Sequence, residues 1–159
     1  MELFSNFPLW AAFIAIIFAQ VIKIPVKLIV ARELSFRIAF STGGMPSSHS
    51  AAVTALTTAI GLVEGVASSL FAVSCIFSVI TMYDASGIRR HAGVHARVLN
   101  QLMKDLQKIF EEKKLLNKKD SKETREDLKE LLGHEPIEVF FGAITGIIIA
   151  FVVQPFFYS

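Results

Sequence analysis

FSNFPLWAAFIAIIFAQVI, residues 4–22, carries no charged side chain, and the first two cations, Lys23 and Lys27, stand just behind it. A stretch of that length and character matches the ~20 apolar residues that a bilayer core requires. Residues 47–63, 67–83 and 139–159 are also free of charge. The helix of a soluble bundle would show a polar stripe every three to four residues, and these segments do not. The reading is an all-α integral membrane bundle in one domain, 1–159. It has about four spans, near 4–22, 47–66, 67–88 and 137–158, and the second is small and rich in Ala and Thr. The first resembles a secretory signal in length. It has no basic residues before it and no cleavage-site pattern after it, so a retained helix is expected.

The 159 residues carry 16 Lys and Arg against 14 Asp and Glu, a net charge of +2 that predicts no nucleic-acid partner. Hydrophobic residues make up 53%, too many for a disordered chain and more than a soluble domain usually holds. With Cys75 alone, an intrachain disulfide and a multi-Cys zinc site are both excluded. The distribution of charge says more than its sum. Lys23, Lys27, Arg32 and Arg37 fall between the first two spans, and every other Lys and Arg lies between the third and the fourth. With four spans both connections lie on one side. The positive-inside rule makes that side the cytoplasm and puts both termini outside a multi-pass cell-membrane protein.

Between the last two spans, Leu99, Leu102, Met103, Leu106, Ile109 and Phe110 recur at helical spacing. They predict an amphipathic cytoplasmic helix, and residues 118–132 a second one ended by Gly133. Together these form a hairpin over about 96–133, either a solvated one or one that binds a lipid surface or a partner. Gly61-xxx-Gly65 and Gly142-xxx-Gly146 are small-residue spacings suited to close helix packing or to a homo-oligomer. His134, Glu135, Pro136, Ile137 and Glu138 read as the capped start of the last span, with proline early and acids in the first turn. A functional role for Glu138 is the alternative.

Two polar clusters meet the cytoplasmic ends of the spans. The first, STGGMPSSHS at 41–50, leads into the second span. Its glycines permit a tight turn, Ser47 or Ser48 can cap the helix, and the free N–H groups of a helix start suit an anion such as phosphate. His49 then sits in the first turn, placed to give or take a proton. The second cluster, DASGIRRHAGVH at 84–95, closes the third span. Arg89 and Arg90 offer forked donors that match phosphate oxygens. His91 and His95 supply a nucleophile, or an acid and a base, and Asp84 is a costly carboxylate near membrane depth. Lys23 and Lys27 either snorkel to the headgroups or join the anion site. On an unbroken helix Asp84, His91 and His95 fall within about 20° of one direction, while Arg89 lies about 120° from His95. A phosphate site therefore wants a break, which Gly87 and Gly93 permit. An unbroken helix would instead offer a carboxylate–imidazole stripe for a divalent metal, with His49 as a fourth ligand.

Pro46-Ser47-Ser48-His49 resembles the Pro-Ser-Gly-His motif of the type 2 phosphatidic acid phosphatase superfamily, which includes the vanadium haloperoxidases. Arg89 and His95 match the spacing of its third motif. Over nearly its full length the chain is similar to that superfamily's divergent branch of small membrane proteins. The resemblance implies a hydrolase acting on a phosphorylated lipid or lipid-linked phosphate monoester at the bilayer, without metal or other cofactor. It makes His95 the nucleophile, His49 the acid that protonates the leaving group and Arg89 a phosphate clamp. Beyond what the resemblance assigns, Arg90, Ser47, Ser48, Lys23 and Lys27 are offered by their own chemistry as further candidate phosphate ligands. Ser48 replaces the motif glycine, Ile88 a serine, and Leu99 the aspartate that orients the nucleophile four residues on, a role Asp84 would have to take from elsewhere. The alternative is a non-catalytic binder or transporter of a phosphorylated lipid through the same pocket.

Overall fold

The structure, a computed structural model, describes residues 2–31, 44–114 and 134–158. Among these the regular structure is helical: α1 (Phe7–Ala31), α2 (Ser48–Glu64), α3 (Ser69–Ser86), α4 (Ile88–Lys114) and α5 (Pro136–Val153). The helix expected over 118–132 lies outside the described residues.

Three of the helices carry a small residue at every fourth position. Ala11, Ala15 and Ala19 on α1, Ala51, Ala55 and Ala59 on α2, and Gly142, Gly146 and Ala150 on α5 are all buried. Residues four apart share a helix face, and side chains no larger than a methyl let two backbones approach closely. A Cβ on Gly142 would stand 2.5 Å from the Ser47 carbonyl oxygen, and one on Gly146 would strike the Ala51 carbonyl and the Thr54 hydroxyl. Gly142-xxx-Gly146 thus serves the contact between α2 and α5 inside the chain, and Gly61 faces the Phe71 ring of α3.

α2 is the hub, packed against α1, α3 and α5. Hydroxyls tie it to its neighbours. Thr54 donates to the Ala143 carbonyl of α5 at 3.0 Å, Thr57 to the Ser74 carbonyl of α3 at 3.1 Å, and Ser78 to the Val53 carbonyl at 3.0 Å. Facing protein on three sides, α2 can be rich in Ala and Thr where a lipid-facing helix cannot. Phe7–Val26, Ser69–Ile109 and Pro136–Phe156 are long and apolar enough to cross a membrane, and α2, with 17 residues, is not among these three. Exposed Ile17 and Phe18 on α1, Val73, Ile76 and Ile80 on α3, and Ile147, Ile148 and Phe151 on α5 form the apolar outside that lipid would cover.

Contacts at the helix ends fix the directions. Phe7 rests against Phe157 and Tyr158, with ring centroids 5.6 and 5.7 Å apart, so the start of α1 lies beside the end of α5. The Ser47 N–H donates to the Glu138 carbonyl at 3.0 Å and the His134 N–H to the Ala85 carbonyl at 2.9 Å. The starts of α2 and α5 and the end of α3 therefore meet at the opposite end of the bundle.

Two expected boundaries move. α1 continues past residue 22 to Ala31, because Lys23 follows Ala19 by four residues on the protein-facing stripe, and a cation on that face does not end a helix. The amphipathic helix starts at Ile88 rather than near 96, directly after a single break at Gly87, whose φ of −102° and ψ of −89° interrupt the helix.

Candidate functional site

Ser47 caps α2: its Oγ accepts from the Ser50 N–H at 3.3 Å and from the Ser50 hydroxyl at 3.1 Å. Gly44 before it holds φ at +92°, a left-handed conformation that glycine adopts without a Cβ clash. Capping fixes the first turn, so Ser47, Ser48 and Ser50 are buried and His49 is half-buried, beside helix-start N–H groups that favour an anion.

α5 begins one layer away. Pro136 occupies its first position, and Glu138 reaches back so that its Oε2 accepts from the Glu135 N–H at 3.1 Å, closing a capping box. The cap expected for residues 134–138 is therefore present. The same Oε2 lies 3.0 Å from His134 Nδ1. A carboxylate only accepts, so this bond puts the proton on Nδ1 and leaves the neutral ring's lone pair on Nε2. His134 is 2% exposed, and among the described residues nothing hydrogen-bonds its Nε2. A buried nitrogen left in that condition costs about 1–3 kcal/mol, and such atoms call for a structural or chemical reason. Its ring meets His49 edge-on, with centroids 5.9 Å apart.

Lys23 closes the group from α1. It is 1% exposed, with Glu138 near enough for the two charges to be felt. Of its two expected states, the side chain that reaches out to the headgroups is not the one observed. Burying an ammonium is costly unless it is paired, and here the Glu138 carboxylate lies close enough to offset part of that cost.

The structure thus gathers Lys23, Ser47, Ser48 and His49 of the expected site residues, and adds His134, Glu138 and Ser50. Asp84 is half-buried, next to Ala85, whose carbonyl holds the His134 amide. Arg90, His91 and His95 are exposed on α4, which packs chiefly against α3. Arg89 and Lys27 belong to α4 and α1, and their side chains lie outside the described part. The break at Gly87 removes the unbroken helix on which the metal stripe of Asp84, His91 and His95 depended. Among the described residues no three His, Cys, Asp or Glu side chains are placed to hold a metal. His134 was legible in the sequence only as part of a cap. The signal that marks it is the carboxylate four residues on, which His95 does not have.

An all-helical membrane protein with imidazoles, a buried lysine and helix-start amides at one end of its bundle is the class that fold and site define. The chain belongs to the Divergent PAP2 family, which it matches over residues 4–149. It is 58% identical over 157 residues to YuiD of Bacillus subtilis (strain 168), described as an uncharacterized membrane protein, with 99% of each chain covered. No solved structure matches it.

Proposed function

We propose that the protein acts as a membrane phosphatase, hydrolysing or transferring the phosphate monoester of a lipid-linked substrate at the cytoplasmic headgroup level. The observation that carries this reading is the buried Lys23, close enough to Glu138 for their charges to interact, where the Glu138 carbonyl holds the Ser47 amide at the start of α2. A soluble substrate would gain nothing from that position, whereas a lipid phosphate reaches it from the bilayer. Family membership supports the chemistry: His49 protonates the leaving oxygen, and Ser47, Ser48, Lys23, Lys27, Arg89 and Arg90 supply donors for the phosphate. The resemblance assigns the attack to His95, with Asp84 as the carboxylate nearby. In this reading α2 also crosses the membrane, as the second of four spans, and the cation-bearing connections between the first and second spans and between the third and fourth are cytoplasmic.

Purified protein in detergent micelles, given dioleoyl phosphatidic acid, is expected to release inorganic phosphate. His49→Ala should lower kcat by at least about 100-fold, the usual contribution of a positioned acid. Equal turnover in wild type and His49→Ala refutes the proposal. A non-catalytic lipid-phosphate binder is the second reading, favoured by the exposure of His95 and by Leu99 four residues beyond it. Saturable binding of phosphatidic acid with no phosphate release selects that alternative.

A further inference from the structure

His95 and His134 differ in one respect that bears directly on catalysis. An attacking imidazole needs one nitrogen held by an acceptor, so that the lone pair stays on the other. His95 is exposed on α4, and Leu99 follows it by four residues. His134 is buried, and Glu138, four residues on, holds its Nδ1 at 3.0 Å. Its Nε2 has no hydrogen-bond partner among the described residues, and its ring lies 5.9 Å from that of His49. The pair is anchored at three further points: the His134 amide on Ala85, the Glu138 carbonyl on the Ser47 amide, and the Glu135 amide on the Glu138 carboxylate. Such a frame holds the ring in one orientation relative to the start of α2.

We infer that the nucleophile of this site is Nε2 of His134, oriented by Glu138 as a positioning residue, with His49 as the facing acid. This rests on the phosphatase reading and names the residue that performs its central step. Nε2 donates its lone pair to phosphorus, the N–P bond forms, and the ester P–O bond breaks. The departing lipid alkoxide takes a proton from protonated His49 and leaves as an alcohol. Water then attacks the phosphorus and gives its proton to His49, the N–P bond breaks, and inorganic phosphate leaves. Throughout, Glu138 stabilises the positive charge that the phosphorylated ring acquires. Lys23 is a buried cation close enough to Glu138 for their charges to interact.

The experiment maps the phosphoenzyme in wild-type protein, so that it does not depend on a variant folding. Protein in micelles is mixed with phosphatidic acid labelled with radioactive phosphorus, quenched in alkaline denaturant, which preserves phosphohistidine, and digested with trypsin. The cleavage pattern puts His134 alone among histidines in residues 130–159, His91 and His95 in 91–97, and His49 in 38–89. Label on 130–159 is the expected result. Label on 91–97 or 38–89, or phosphate release without any label, overturns the inference and leaves the phosphatase reading standing. Absence of both release and label overturns the two together. Glu138→Gln keeps an acceptor oxygen but loses the charge, and should lower kcat about tenfold or more with KM within about twofold. A change in melting temperature with kcat intact would make Glu138 a cap only and overturn its positioning role.

Discussion

Gly142→Ala adds one methyl group one helical turn beyond Glu138, and the geometry around it allows the cost to be worked out. The new Cβ would stand 2.5 Å from the Ser47 carbonyl oxygen, 2.9 Å from Ser50 Cβ and 3.1 Å from Ser47 Cβ, where ordinary contact begins at 3.4 Å. The first obstacle is backbone, in the turn that carries His49, and cannot rotate aside. α2 and α5 must therefore separate by about 1 Å at their starts, and overpacking of that kind costs about 1–3 kcal/mol. In a chain of this size each kcal/mol lowers the melting temperature by roughly 2–4 °C, so a fall of about 5 °C is expected. The same shift moves His49 and the Ser47 amide away from His134 and Glu138, and a misplacement of ~1 Å can cost about 100-fold in rate. Gly61→Ala is the control, since what it meets at 2.9 Å is the edge of the Phe71 ring, a side chain that can turn. Thermal unfolding in micelles, read by circular dichroism, and phosphate release from phosphatidic acid test both effects. If Gly142→Ala melts within 1 °C of wild type and keeps full turnover, the close α2–α5 contact does not position the site.

Thr57→Val removes the hydroxyl that donates to the Ser74 carbonyl and lies 2.8 Å from the Ser78 hydroxyl. Interhelical bonds of this kind average about 0.6 kcal/mol in membrane proteins, so a loss of roughly 1 kcal/mol in detergent-titrated unfolding is expected, and no loss refutes α2 as a hydroxyl-tied hub. The proposed topology makes Glu64→Cys, in a Cys75→Ser background, reactive toward an impermeant maleimide in intact cells. Lys104→Cys should react only after permeabilisation, and the reverse pattern overturns the orientation.

Much of the architecture was legible in the sequence because transfer into lipid is a local property of composition. The uncharged stretches and the helices agree to within a few residues at α2 and α3. They part where a single residue was read as a boundary. Lys23 looked like the end of a span because a cation is costly in lipid, yet four residues after Ala19 it faces protein instead. Gly142 and Gly146 were recognisable as a close-packing pair, but the spacing did not tell whether the partner was α2 or another copy of the chain. The run of Ala11, Ala15 and Ala19 carries the same meaning for α1, hidden because alanine is common in any apolar helix.

For the proposed site, the sequence by itself supplied candidate residues, of which Lys23, Ser47 and His49 lie toward one end of the bundle. A helix start rich in Ser and Gly favours an anion wherever it stands, and charge asymmetry orders the connections. Which imidazoles face one another was decided only in three dimensions. That pairing depends on how closely α2 and α5 approach, which small residues such as Gly142 permit. His49 consequently meets His134, 85 residues along the chain. The Ser47 N–H bond to the Glu138 carbonyl fixes that meeting, because it holds the start of α2 against the start of α5.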